Sequence, residues 1–463
     1  MKKHSFAAVA LTVFALPLFL TACAAGPDYT PPSVEAPSEF QYARKGETAP
    51  LVENWWELFG DPTLTGLINE AQRGNFDLAA QVARVRQARA AARIERAGFF
   101  PTLSADPFAE RGKDSQILNP RAGSSPSTAY GIPFNVGYEA DLFGRVRRGF
   151  QAATAEAQAA EESYRSFELV LNTEIANTYY LLRGLDQEIA VVERVQNVRE
   201  EQLKILGSRY EFGIISRLPL SQAEAELNAT RASLHAIRLD RARLENALAV
   251  LLGKAPSEFE LPPTPLEEDP PPVPSVVPSY LLAARPDLRS AERTMAAANA
   301  RVGVATADFF PRITIGADVG YASDDVDALF NSRSFTWGIL PNIHIPIFEG
   351  GRLNANLEKA RARYAETYAN YRQAVVEAFG EAEDALVGVE MLARQANANR
   401  MAVRAAEQAF EISKRQFEGG LVNFLSVLDS ERVYLDNLRL SSAIQAGQYT
   451  SAVNLVKAIG GSW

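Results

Sequence analysis

Apolar positions along this chain recur with two different periods. Tyr164, Leu171, Thr178, Leu185, Val192, Arg199 and Leu206 are seven apart, as are Ile175, Leu182, Ile189, Gln196 and Leu203. After a short interruption the same spacing returns in Leu220, Leu227, Leu234, Arg241 and Leu248, and in Ala223, Thr230, Ile237, Leu244 and Leu251. A sustained seven-residue repeat predicts long helices packed along coiled-coil seams. The polar intruders Arg199, Thr230 and Arg241 predict seams that are imperfectly dry. Phe134 to Leu218 and Ile347 to the C-terminus contain no proline and are rich in good helix formers. A helix from about Arg147 to Leu206 would reach roughly 90 Å at ~1.5 Å per residue.

Between these runs the period falls to two. Tyr130, Ile132, Phe134, Val136 and Tyr138 alternate with Gly131, Pro133, Asn135, Gly137 and Glu139. Ile313, Ile315, Ala317, Val319 and Tyr321 alternate with Arg312, Thr314, Gly316, Asp318 and Gly320, and Phe335, Trp337 and Ile339 with Thr336 and Gly338. Four strands follow, at about 101–112, 128–143, 311–322 and 333–348, the first with the weakest pattern. One apolar face with aromatic ends and one face bearing Gly and Asp is the pattern of a membrane β-barrel strand, and also of any half-buried strand.

The two halves of the chain repeat one another. At an offset of 210, Asp77-Leu78 matches Asp287-Leu288, and Phe99-Phe100-Pro101 matches Phe309-Phe310-Pro311. At an offset of 207, Tyr210, Gly213, Leu218, Glu224 and Gly253 match Phe417, Gly420, Leu425, Glu431 and Gly460. This is a tandem duplication: a first repeat over 61–255 and a second over 280–463, each ordered helix, two strands, two long helices. A Pro-rich linker over 256–279 divides them; Pro256 to Pro278 holds nine of the 26 prolines and cannot be helix. Each Phe-Phe-Pro sits where the period changes, and proline biases the residue before it away from helix. These residues are therefore candidate joints at the inner edge of a membrane.

The N-terminus adds an address. Lys2 and Lys3 lead into an apolar run from Phe6 to Leu20 and then "LTAC", a secretory signal over 1–22 that is too short to span a membrane. "LTAC" resembles the lipobox of bacterial lipoproteins, whose cysteine is acylated and becomes the mature N-terminus. Cys23 would be the anchor, with a free thiol as the alternative. By that resemblance Ala24 in the next position favours the outer membrane, and Cys23 with the Pro-rich stretch to residue 60 would tether the body. Cys23 is the only cysteine, so stability must come from packing and not from disulfides. Loss of Lys2 and Lys3 takes the formal charge from -9 to -11, which argues against nucleic acid as a partner.

Four strands cannot close a barrel, and an open edge is not tolerated in lipid. Several chains must share one. Two give eight strands, filled by side chains, and three give about twelve with a lumen; three suits a conduit.

Together the lipobox, "NWWELFGDPTL", the duplicated "FFP", and the hairpins "RYEFGIISRLPLSQAEAEL" and "RQFEGGLVNFLSVLDSERVYL" resemble the TolC-type outer-membrane efflux channels, in their OprM-like lipoprotein branch. The resemblance implies a fold that is mostly α with a membrane β-barrel, each protomer giving four strands to a trimeric 12-stranded barrel and long coiled helices to a periplasmic α-barrel. It further implies a homotrimer working with a periplasmic adaptor and an inner-membrane pump, passing drugs, solvents or metal ions outward as a passive duct. A duct for type I protein secretion is the near alternative; a non-conducting structural lipoprotein spanning the periplasm is the distant one.

The candidate residues follow. Gly213, Gly419 and Gly420 allow the chain to turn between antiparallel helices. Arg209 and Arg415 stand near helix C-termini, where cations are favoured, and Ser216 is placed to cap the next helix ahead of Pro219. The resemblance makes these tips adaptor contacts. Leu425, Asp429 and Arg432 share one helix face at i, i+4 and i+7. By resemblance they form the periplasmic gate; alternatively, Asp429 and Arg432 are an exposed i,i+3 ion pair. The mature chain has two histidines, His235 and His344, on different elements, and no nucleophile motif. Neither an enzyme nor a cofactor beyond the covalent lipid is expected.

Overall fold

A computed structural model describes residues 24–34, 37, 39–42, 54–113, 115, 117–118, 125–266, 269–271 and 283–461. The expected signal peptide, Cys23 and much of the linker lie outside them. The elements are α1 (Pro62–Gly74), α2 (Phe76–Ala97), β1 (Thr102–Ala105), β2 (Phe108–Gly112), β3 (Ser127–Ala140), α3 (Arg145–Glu211), α4 (Arg217–Leu251), α5 (Pro286–Ala307), β4 (Arg312–Ser323), β5 (Phe335–His344), α6 (Arg352–Glu418) and α7 (Phe424–Ala458). α2 and α5 each have 22 residues, α3 and α6 each 67, α4 and α7 each 35. The three helix pairs thus match in length between the two halves, and 67 residues of continuous helix extend about 100 Å. The chain divides into two compact units.

The first unit, Met1–Ser33, Arg84–Glu161 and Ser290–Arg372, holds the sheet. Its strands run antiparallel in the order β1-β3-β4-β5, with β2 also paired to β3. The strand expected over 101–112 is broken in two because Pro107 has no N–H to give the ladder, although Ala105↔Phe134 and Phe108↔Gly131 keep one register. Register aligns Leu103↔Val136, Phe134↔Val319 and Val319↔Trp337 on one face, and Ser104↔Asn135, Asn135↔Asp318 and Asp318↔Gly338 on the other. Much of the apolar face is exposed, including Leu103, Phe134, Val319, Trp337, Ile339 and Ile343.

The stretch read as a tether packs closely where it is described. Ala25 N–H donates to Phe143 C=O at 2.9 Å, and the guanidinium of buried Arg148 donates to Asp28 Oδ1 at 2.8 Å. Gly26, with φ of 86°, lies so near Gly303 that a Cβ on it would stand 2.5 Å from the Gly303 Cα. Proline content removed regular structure from this segment; it did not remove docking partners.

The second unit, Val34–Ala83, Glu162–Arg289 and Gln373–Trp463, is built on coiled helices. Its main core gathers Trp55, Trp56, Leu64, Ile68, Ile175, Tyr180, Leu182, Leu248 and Leu252. Each such side chain withdrawn from water contributes roughly 1.5–3 kcal/mol. The duplication is visible here in polar contacts as well. Asn75 Nδ2 donates to Leu251 C=O at 2.8 Å, and at the equivalent place Arg285 Nη1 donates to Ala458 C=O at 3.1 Å. A buried cluster also fastens the linker: Asp186 accepts from Arg183 at 2.9 Å, Arg241 at 2.6 Å and Thr264 N–H at 3.0 Å.

Candidate functional site

The hairpin tips are made by the same turn twice. Ile214 N–H reaches Arg209 C=O at 2.8 Å and Gly213 N–H reaches Tyr210 C=O at 2.9 Å; Leu421 to Gln416 and Gly420 to Phe417 repeat this at 2.9 and 3.0 Å. This is a Schellman ending, which needs a left-handed residue. Gly213 (φ 70°) and Gly420 (φ 72°) supply it. Gly419 lies in the same turn, directly after α6 ends, and its N–H still reaches Arg415 C=O at 3.1 Å. Arg209 and Arg415 do lie in the last turns of α3 and α6.

The two helix starts differ. Asn423 caps α7, its side chain accepting from Ser426 N–H at 3.0 Å. Ser216 occupies the cap position of α4 without a side-chain cap bond. The residue three places on is Pro219, which has no N–H to donate. The expected cap is therefore a position without its bond.

Leu425, Asp429 and Arg432 are exposed on one face of α7. Arg432 stands 3.8 Å from Asp429, a long pair worth a few tenths of a kcal/mol. Its nearer partner is Glu226 of α4, which sequence reasoning missed. Glu226 also meets Arg199 of α3 at 3.3 Å, and Arg199 reaches buried Glu431 at 3.3 Å and donates to Thr230 Oγ1 at 2.5 Å. Two consecutive residues of α7 thus bind it to the α3–α4 hairpin. Burial, partly offset by Arg199, raises the Glu431 carboxyl above its ordinary 4.5. The signal for this network lay in the heptads, where Arg199 and Thr230 interrupt apolar seams and so required partners. Beneath it Leu206, Ala223, Phe424, Val427 and Leu428 form an apolar cluster.

The Phe-Phe-Pro joints are sharp helix endings. Phe99 and Phe100 N–H bond to Arg96 and Ala97 C=O at 3.1 and 3.0 Å, and Phe309 and Phe310 to Thr306 and Ala307 at 3.2 and 3.0 Å. Strands start directly after Pro101 and Pro311. All four rings are exposed in part; Phe99 packs edge-on to Phe150 at 5.6 Å and Phe310 stacks on Phe143 at 4.7 Å. No group of His, Cys, Asp and Glu suited to a metal exists among the described residues. His344 pairs with Arg312 on the polar face of the sheet, and His235 lies exposed on α4.

A sheet with an exposed apolar face and a polar face, in a chain of long coiled helices joined by tight hairpins, is also found in known proteins. A family model described as "Outer membrane efflux protein" matches residues 67–254 and 277–461, one segment in each half. The solvent efflux pump outer membrane protein SrpC of Pseudomonas putida is 34% identical over 98% of both chains. The cation efflux system protein CusC of Escherichia coli O6:H1 is 30% identical, again over 98% of each. Among solved structures, the outer-membrane channel OprN superposes with a TM-score of 0.89 at 29% identity, over 95% of this chain and 99% of that one. Duplicated helices, strand pattern and full-length likeness agree, and the chain belongs to the outer membrane efflux protein family.

Proposed function

We propose that three copies join edge to edge, β5 of one against β1 and β2 of the next, to close a 12-stranded barrel through which small molecules leave the cell. The observation that carries this is the sheet itself: among the described residues no strand pairs with its outer edges, and Leu103, Phe134, Val319, Trp337, Ile339 and Ile343 of its apolar face are exposed, which lipid and strand addition satisfy together. The polar face, with Asn135, Asp318, Thr336 and His344, then lines the lumen. Acylated Cys23 adds a lipid anchor in the outer membrane, and six Phe-Phe-Pro joints ring the base of the pore.

A periplasmic adaptor engages the tips at Arg209, Gly213, Ser216, Arg415, Gly419 and Gly420, and delivers cargo from an inner-membrane pump. Relatives named for solvent, toluene and cation efflux favour small cargo over secreted proteins. Leu425, Asp429 and Arg432 gate the periplasmic end, narrowing it by leucine side chains while the Glu226 pair holds α7 in place. No chemistry is performed on the cargo. Single-channel recording tests the reading: purified trimers are expected to conduct, and Leu425→Ala with Asp429→Ala to conduct more. Unchanged conductance in that variant would remove the gate, and a wild type that never conducts would remove the channel.

A further inference from the structure

The helical part of the sheet-bearing unit is basic within an acidic chain. Arg84–Ala97, Arg145–Glu161, Ser290–Ala307 and Arg352–Arg372 together carry 15 Lys and Arg against 6 Asp and Glu, while the whole chain has 47 against 56. α2 has the largest share, with 5 basic residues against 1 acidic over Arg84–Ala97. Arg86, Arg89, Arg93 and Arg96 fall at i, i+3, i+7 and i+10, one face of the helix, and all four are exposed. Among the described residues only Arg89 of these is ion-paired, to Glu161 at 2.7 Å.

The duplication shows which way this face looks. At the offset of 210, the equivalents on α5 are Ala296, Asn299, Gly303 and Thr306, and there the face is covered by the chain's own N-terminal segment. Asn299 Nδ2 donates to Pro27 C=O at 3.1 Å, Gly26 lies on Gly303, and Tyr29 packs against Ala296. That segment follows directly from Cys23. If Cys23 is acylated, as proposed above, its lipid enters the bilayer outside the barrel, so the covered face of α5 is the outer one. The repeat carries the same orientation to α2, where, among the described residues, all four arginines are exposed on that face.

We infer that the arginine stripe of α2 binds the phosphates of anionic phospholipids in the inner leaflet of the outer membrane. The inference rests on the proposed acylation and membrane placement. Arg96 is three residues from Phe99, about 5 Å along a helix, and a headgroup layer is roughly 5–7 Å deep. Arg96 and Arg93 therefore fall among the phosphates, and Arg89 and Arg86 within about one further Debye length of ~8–10 Å. Guanidinium matches phosphate geometry with two parallel hydrogen bonds. A second copy of the unit offers no better complement, since its other helices also carry a basic excess.

The test uses full-length protein with its native N-terminus, purified from membranes as the trimer, delipidated and titrated with phosphatidylglycerol or phosphatidylethanolamine under native mass spectrometry. Wild type is expected to retain phosphatidylglycerol preferentially. Arg86→Gln with Arg93→Gln and Arg96→Gln is expected to lose that retention by roughly tenfold or more, at about fivefold per cation near an anionic surface. The corresponding triple lysine variant, which keeps charge, should recover most of it. Equal retention by wild type and the glutamine variant overturns the proposal, as does stripe-dependent cosedimentation with purified peptidoglycan without lipid preference. Conductance of the same samples separates the two readings: a conducting wild type with stripe-independent lipid retention sinks the stripe alone, and a non-conducting wild type with stripe-dependent retention sinks the channel alone.

Discussion

Arg199 and Glu431 form a pair whose value depends on burial. Both are almost fully withdrawn from solvent, so removing Arg199 leaves Glu431 buried without its ion-pair partner. Arg199→Leu is expected to destabilise by about 3–5 kcal/mol. The double change Arg199→Leu with Glu431→Leu should recover most of that in a thermal or denaturant cycle. Burial holds the Glu431 carboxyl above 4.5, so the folded state binds its proton more tightly than the unfolded chain does. Its contribution to stability is therefore present at low pH and lost as pH rises from 4.5 through the raised value. Relative to wild type, Glu431→Gln should gain in melting temperature as pH is raised across that interval; a relative loss would mean that the ion pair outweighs burial. The sequence exposed Arg199 as an interruption in a seam, but Glu226 and Glu431 came only from knowing which helices meet.

Helix endings show how local chemistry and packing divide the work. Gly213 and Gly253 both hold left-handed backbone at Schellman endings, with φ of 70° and 76°. Nothing lies within 4 Å of a Cβ placed on Gly213, whereas one on Gly253 would stand 2.2 Å from Gly74 C=O. Gly213→Ala should therefore cost about 1–2 kcal/mol, the left-handed penalty alone. Gly253→Ala should cost clearly more, with Gly460→Ala beside Ala284 behaving likewise. Equal melting temperatures for Gly213→Ala and Gly253→Ala would contradict this. Gly213 was legible as a turn residue between helices, and the duplication marked Gly253 and Gly460 as matching positions. That Gly213 is free and Gly253 wedged against α1 was not, since the difference lies in a neighbour more than a hundred residues away. Ser216 stands at the cap position without a cap bond for a smaller reason: the residue type is right, but Pro219 removes the donor.

At the scale of the molecule the sheet makes the strongest demand. A four-strand sheet with an exposed apolar face and two open edges is an aggregation hazard alone, so assembly and membrane insertion should be inseparable. Trp337→Arg, on the exposed apolar face of β5, is expected to cost about 2–4 kcal/mol if it faces mid-bilayer hydrocarbon and to reduce heat-resistant trimers on gels. Normal trimer yield would contradict a lipid-facing role. Cys23→Ser is expected to abolish incorporation of labelled palmitate, and labelling that persists would place the lipid elsewhere.

The sequence by itself determined the periodicities, and with them the long helices, the four-strand pattern, the duplication and the joints at Phe-Phe-Pro, because heptad spacing, alternation and proline act over a few residues. Leu425, Asp429 and Arg432 were likewise placed on one face by helical geometry alone. The tertiary structure decided what those faces meet: that Glu226 is the nearer partner of Arg432, that Asp186 fastens the linker, and that the Pro-rich segment after Cys23 is clamped by Arg148 and a Gly26–Gly303 contact. Such contacts join residues 78 to 277 positions apart, and no local pattern encodes a partner at that separation.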